Sequence, residues 1–262
     1  MSAAETFYEP LGEGRYRSTP ATAGPWSERA QHGGPPAALL ARALESLQAA
    51  DGAPRVVGRF TMDLLGPVPV ADLLVSATVL RPGRTVSLLQ AELADESGRV
   101  VARAQAWTLP DAEGPASAGV PLPHGPADGH TEEPPASWVR GYLDSVEWQW
   151  IEGAVTRPGS AVVWMRPRLP LVPGEEMTPL QRLLCCVDSA SGASAALDPE
   201  GWTFMNTELT VHLLRPPSGD WVCLDAETFL AGRSVGMATS DVYDEQGLVA
   251  RSAQALLVVP KD

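Results

Sequence analysis

Basic residues are scarce in this chain of 262 residues: 19 Lys and Arg stand against 32 Asp and Glu, a formal charge of −13 at pH 7. Such a surface repels phosphate backbones, which excludes nucleic acid as the expected partner and leaves room only for a local basic pocket around one small anion. Cysteine is scarcer still. Cys185, Cys186 and Cys223 are too few and too badly spaced for a disulfide framework, and sequence neighbours do not readily bridge each other. No Cys/His quartet has zinc spacing, so no metal site is expected. No uninterrupted apolar stretch reaches the roughly eighteen residues that a membrane helix needs. The start, Met1-Ser-Ala-Ala-Glu-Thr6, lacks the basic residues and apolar run of a secretory signal. These absences predict a soluble protein of the reducing cytoplasm. Missing too are the Gly-x-Ser-x-Gly elbow, a nucleophile for Ser-His-Asp chemistry, and any Rossmann or P-loop signature.

What is present is an ordinary globular composition, 44% hydrophobic and 19% charged. The length suits one large domain or two small ones. An internal repeat decides for two. Glu96-Ser-Gly-Arg-Val-Val-Ala-Arg-Ala-Gln105-Ala resembles Glu245-Gln-Gly-Leu-Val-Ala-Arg-Ser-Ala-Gln254-Ala at an offset of 149 residues. Held without gaps, that offset gives 15 identities in the 51 positions from Val57 to Trp107. Composition alone gives about three or four, so a duplication is the better explanation.

Within the unit, Pro-Gly at 82–83, Ala-Gly at 231–232, Glu-Ser-Gly at 96–98 and Glu-Gln-Gly at 245–247 separate runs rich in Val, Leu and Thr. Those are hairpin signals. They predict antiparallel strands near 57–65, 72–81, 84–94 and 99–108, and again near 206–214, 221–230, 233–243 and 248–258. A helix should precede each meander. Gly33-Gly34-Pro35-Pro36 leads into Leu39, Leu40, Ala43, Leu44 and Leu47 at helical spacing. In the second half Thr178 can cap, Pro179 suits the first turn, and Leu180, Leu183, Leu184 and Val187 form an apolar stripe. Extended segments precede both helices, at 6–16 and at 147–152 and 161–168. Residues 110–137 are rich in Pro, Gly, Ala and acids and read as a linker. The expected organisation is an α+β chain with units at 1–109 and 138–262, each a long helix wrapped by an antiparallel sheet.

Asp188 breaks the apolar pattern of the second helix. An unpartnered buried carboxylate costs several kcal/mol, so this one should aim into a cleft or find partners such as Ser189 or Ser191. On the strand that follows, alternation puts Asn206, Glu208, Thr210 and His212 on one face and Thr207, Leu209, Val211 and Leu213 on the other. Gln254 lies in an apolar run and needs hydrogen-bond partners. Its repeat counterpart is Gln105, so the pair could be structural twins. His32 precedes Gly33-Gly34 at a helix start, where it flanks an anion or carbonyl site or is simply a loop histidine.

The tandem of helix and meander resembles the double hotdog fold. His32-Gly33-Gly34-Pro-Pro-Ala-Ala-Leu-Leu resembles the glycine-led first helix of bacterial acyl-CoA thioesterase II and its relatives. Leu-Leu-Cys-Cys-Val-Asp188 resembles the helix with that family's catalytic aspartate, His-Leu-Leu-Arg215-Pro216 the motif ending the next strand, and Gly247-Leu-Val-Ala-Arg-Ser-Ala-Gln254 the strand with its catalytic glutamine. The resemblance implies a site of aspartate, Ser/Thr and glutamine, all from the second half. Asp188 and Gln254 match. The Ser/Thr position falls on Asn206, with Thr207 one residue away: either a bulge presents the Thr207 hydroxyl or the Asn206 amide replaces it.

The implied chemistry is hydrolysis of an acyl-CoA or acyl-carrier thioester by an aspartate-assisted water, without a covalent intermediate. Backbone N–H groups of Gly33 and Gly34 would polarise the carbonyl across the interface between halves. No cofactor is implied, coenzyme A entering as part of the substrate. Two alternatives stand beside this: a non-catalytic acyl-thioester or lipid-binding protein, and a hotdog enoyl-CoA hydratase. Exposed sheet edges suggest a homodimer or higher homo-oligomer.

Overall fold

The computed structural model describes residues 4–52, 54–115, 124–198 and 201–261. The first half contains β1 (Tyr8–Gly12), β2 (Arg15–Ser18), β3 (Ala23–Gly24), β4 (Ser27–Gln31), α1 (Gly34–Asp51), β5 (Arg55–Leu64), β6 (Asp72–Arg81), β7 (Ser87–Ala94) and β8 (Val100–Pro110). The second contains α2 (Gly141–Ser145), β9 (Val146–Ala154), β10 (Arg157–Pro167), α3 (Pro179–Val187), α4 (Ala190–Ala193), β11 (Trp202–Asn206), β12 (Glu208–Leu213), β13 (Val222–Leu230), β14 (Val235–Asp244) and β15 (Gly247–Pro260). Among the described residues no helix is long and apolar enough to cross a membrane. The segment expected as a linker falls partly on 116–123, outside the described residues. Farther along it, His130 bridges to Trp150 of β9, so that stretch is tied to the second half.

The predicted strands form, but only three of each four make a meander, β6-β7-β8 and β13-β14-β15; the first strand of each set, β5 or β12, crosses over to pair with the last, β8 or β15, because the inner edge beside that strand is where the two halves meet. The halves join into one antiparallel sheet in the order β1-β2-β6-β7-β8-β5-β12-β15-β14-β13-β10-β9. The seam is β5 against β12, where Thr61 faces Thr210. These two are counterparts in the repeat, so the halves are related by a two-fold axis passing between them. This is the expected double hotdog arrangement.

α1 is the central helix of the first half. Pro35 and Pro36 sit where backbone N–H groups need no partner, and Gly52, at φ +70°, ends the helix in the left-handed conformation that glycine adopts without strain. Ala37, Ala38, Leu39, Leu40, Ala41 and Leu44 are all buried. The second-half helix departs from expectation. It is capped as predicted, by Thr178 and Gln181 in a capping box, but α3 has nine residues instead of forming one long helix. Its last turn tightens, with the Ser189 N–H donating to the Cys186 carbonyl at 2.9 Å, and the chain restarts as the four-residue α4. Asp188 stands at this break.

α1 and α3 run antiparallel. The start of α1 meets the end of α3, while Glu45, farther along α1, accepts hydrogen bonds from Thr178 and Gln181 at the start of α3. Burial pushes the Glu45 carboxyl above the usual carboxylate range, against those two donors.

The repeat is not in register along its whole length. Ala94 pairs with Val100 in the first half and Tyr243 with Leu248 in the second, so the intervening turn has five residues in one and four in the other. Beyond that turn the structural offset is 148. Gln105 faces Thr61, but Thr210 faces Ala253. The structural counterpart of Gln254 is therefore Ala106, and both are buried facing the helix. Gln105 lies on the outer face, donating to Gln90 at 3.0 Å. The pairing of Gln105 with Gln254 as twins is thus corrected. The physical reason is strand parity: a one-residue slip sends every side chain to the other face.

Candidate active site

The break after α3 leaves backbone groups that a continuous helix would satisfy internally. Gln254 spans it. Its Nε2 donates to the Asp188 carbonyl at 3.1 Å, and its Oε1 accepts from the Ser191 N–H at 3.1 Å. The same Nε2 lies 3.2 Å from Asp188 Oδ1. This accounts for a glutamine inside an apolar strand: it stitches the helix break and fixes the carboxylate next to it.

Asn206 supplies the second amide, donating from Nδ2 to Asp188 Oδ1 at 2.7 Å. Alternation had placed Asn206 on the face of Glu208, Thr210 and His212. The ladder shows why it is elsewhere: Asn206 faces Leu256 and Thr210 faces Ala253, so three residues (207–209) oppose two. That extra residue is a bulge, which re-aims side chains on one side of it. It turns both Asn206 and Leu209 toward the helices. Thr207 is turned outward. Its N–H donates to the Ala255 carbonyl at 3.0 Å, and its exposed hydroxyl reaches the same oxygen at 3.4 Å. The bulge foreseen as a way to present Thr207 presents Asn206 instead, and Thr207 does not join Asp188.

The other carboxylate oxygen faces the first half. A Cβ on Gly33 would lie 2.5 Å from Asp188 Oδ2, and one on Gly34 would run into the Cys185 carbonyl. Only glycines allow the start of α1 to come this close. His32 Nδ1 is 3.4 Å from Asp188 Oδ2, with both side chains buried. This is not an ion pair. The Gly34 N–H donates to that Nδ1 at 3.1 Å, which requires a lone pair there. Burial, opposed by the Asp188 charge, also holds His32 below the ordinary imidazole range. The Gly34 N–H is thereby committed to the imidazole and not offered to a ligand.

His32 is held by an element the sequence did not mark. Its ring stacks on Tyr142 of α2, with centroids 3.8 Å apart and planes 2° from parallel. The Tyr142 hydroxyl donates to the Cys185 carbonyl at 2.8 Å and lies 3.0 Å from Ser189 Oγ. Tyr142 sits in a short segment without periodicity, which gives no signal for it. The cysteines are structural: Cys185 and Cys186 are fully buried, and burial pushes both thiols up, away from the nucleophilic thiolate. His212 is exposed opposite Arg59, far from the carboxylate in the ladder. Arg215 grips the buried Asp244 with two hydrogen bonds, at 2.6 and 2.5 Å, and so anchors the β14–β15 turn. Among the described residues no group of three or more His, Cys, Asp or Glu could hold a metal ion.

Comparison with known proteins places the chain in a family. The family model for the acyl-CoA thioesterase N-terminal domain matches residues 22–109, and that for the C-terminal domain matches residues 121–258. No curated protein matches. Solved structures share the fold along nearly the whole chain. A thioesterase candidate from Novosphingobium aromaticivorans superposes with a TM-score of 0.73 at 20% identity, covering 97% of this chain and 99% of that one. A hotdog protein of unknown function from Alicyclobacillus acidocaldarius gives 0.71 at 17% identity, covering 97% and 96%. An acyl-CoA thioesterase II from Mycobacterium marinum gives 0.65 at 15% identity, covering 97% and 95%. With family models covering both halves, the chain belongs to the acyl-CoA thioesterase family and is a thioester hydrolase.

Proposed function

We propose that the protein hydrolyses a fatty acyl-CoA to free acid and coenzyme A, with Asp188 activating the attacking water. One observation carries this reading. A buried carboxylate has one oxygen fixed by the amides of Asn206 and Gln254 and the other turned to the start of the opposing helix. Water held at the second oxygen attacks the acyl carbon and gives its proton to Asp188. The C–S bond then breaks, and the leaving thiolate recovers a proton. Positioning and proton transfer of this kind each supply orders of magnitude in rate. The Gly33 N–H, at the positive end of α1, is assigned to the developing oxyanion. Asn206 does the work expected of a hydroxyl, holding the carboxylate by an N–H donor. The hydratase alternative is disfavoured because His32, the histidine beside Asp188, already accepts from Gly34 through the nitrogen that faces the acid.

The test is Asp188→Asn, followed by free-thiol release from a medium-chain acyl-CoA. An asparagine has the same shape and its oxygen still accepts from the two amides. The variant should therefore fold normally and lose about a thousandfold or more in kcat, the range of a lost general base. Near-wild-type turnover removes Asp188 from the mechanism.

A further inference from the structure

Outside this site, a cleft of about 430 Å³ is lined by Glu147, Arg166, Pro167, Arg168, Arg182 and Asp220. Three arginines from two places in the chain, the end of β10 and α3, converge there, on a protein of net charge −13. Two are pre-oriented. Arg166 donates to Glu147 at 2.7 Å, and its guanidinium carbon lies 4.6 Å over the Trp221 ring. Arg182 donates to the carbonyls of Met177 at 2.7 Å and Gly219 at 3.3 Å, with Asp220 3.4 Å away. Arg168 is different. Its main chain is fixed by a hydrogen bond to the Ser145 carbonyl, while its exposed guanidinium makes no hydrogen bond among the described residues. Two carboxylates against three guanidinium groups leave one positive charge uncompensated.

We propose that this cleft binds a phosphate monoester. Building on the thioesterase reading, the phosphate belongs to the carrier of the acyl group. Planar guanidinium forks match phosphate oxygens in pairs, and pre-oriented ones lose little freedom on binding. The cleft is also tied to the catalytic carboxylate. Arg182 stands six residues before Asp188, about 9 Å along the α3 axis. Glu147 follows α2, whose Tyr142 stacks on His32. A phosphate held here sets the position of a flexible arm leading to the thioester.

The test is calorimetric titration of the full chain with adenosine 3′,5′-bisphosphate, 4′-phosphopantetheine and inorganic phosphate, using wild type and Arg168→Gln. Arg168 is exposed and bonded only through its backbone, so the variant keeps the fold. We expect saturable binding of a phosphate monoester that weakens about tenfold in the variant, the loss of one charge-assisted hydrogen bond. Tightest binding of the bisphosphate identifies the nucleotide end of coenzyme A. Tightest binding of phosphopantetheine overturns the monoester assignment, because that phosphate is a diester in a carrier protein and part of a pyrophosphate in coenzyme A; equal binding of all three identifies free phosphate. No binding of any probe, or equal affinities for wild type and variant, overturns the cleft as a phosphate site. Binding without thiol release from any acyl-CoA overturns the substrate reading and leaves the cleft standing.

Discussion

Gln254 has two tasks whose energies can be separated. It satisfies the Asp188 carbonyl and the Ser191 N–H at the helix break, and it donates to the Asp188 side chain. Gln254→Ala leaves two buried backbone groups without partners, at about 1–3 kcal/mol each, and loosens the carboxylate. Denaturant unfolding should show the first loss, and a kcat reduced about tenfold to a hundredfold should show the second. Gln105→Ala, on the outer face with Gln90, should leave both within error. That two identical residues in look-alike segments differ so much was hidden in the sequence. Over the strand after the turn the ungapped and the structural register give four identities each, the latter pairing Val101 with Val249, Ala102 with Ala250, Arg103 with Arg251 and Leu109 with Leu257. The shared ion pairs decide for the second. Arg103 meets Glu92 and Arg251 meets Asp241, each at 2.8 Å. No residue count could have made that choice, because it rests on which face a strand turns inward.

Among the elements, the start of α1 and the end of α3 form the most constrained contact. The two glycines there are needed for different reasons. Gly34→Ala drives a methyl group into the Cys185 backbone, which cannot turn aside, so the helices must separate. A loss of about 1–3 kcal/mol is expected, read as a lowered Tm. Gly33→Ala instead meets the Asp188 side chain, which can rotate away. Its signature should be a fall in kcat with little change in Tm. The strands and their hairpins, the capped second helix and the glycine-led first helix were legible because hydrophobic period and turn chemistry are local; the crossing of β5 to β8 and of β12 to β15 was not. The helix break at Asp188 and the bulge at Thr207 were not. Both depend on partners far along the chain: Gln254 for the first, the β15 ladder for the second.

Across the whole molecule, the halves divide one site between them. The second supplies Asp188, Asn206 and Gln254, and the first supplies His32 and Gly33. The β5–β12 seam holds the two together. A fragment of residues 124–262 alone would expose the β12 edge and lack the opposing helix. It should release no thiol from acyl-CoA, while mixing or co-expression with residues 1–115 should restore turnover, together with a 1:1 complex in size-exclusion chromatography. Restored activity from the fragment alone would mean that the first half is dispensable. The duplication itself could be read from the repeat, but the turn between β14 and β15, one residue shorter than its counterpart, hides which residues correspond beyond it. In the register the ladder gives, the inward position that carries Gln254 in the second half carries Ala106 in the first, so one side chain separates a half that can grip a carboxylate from one that cannot.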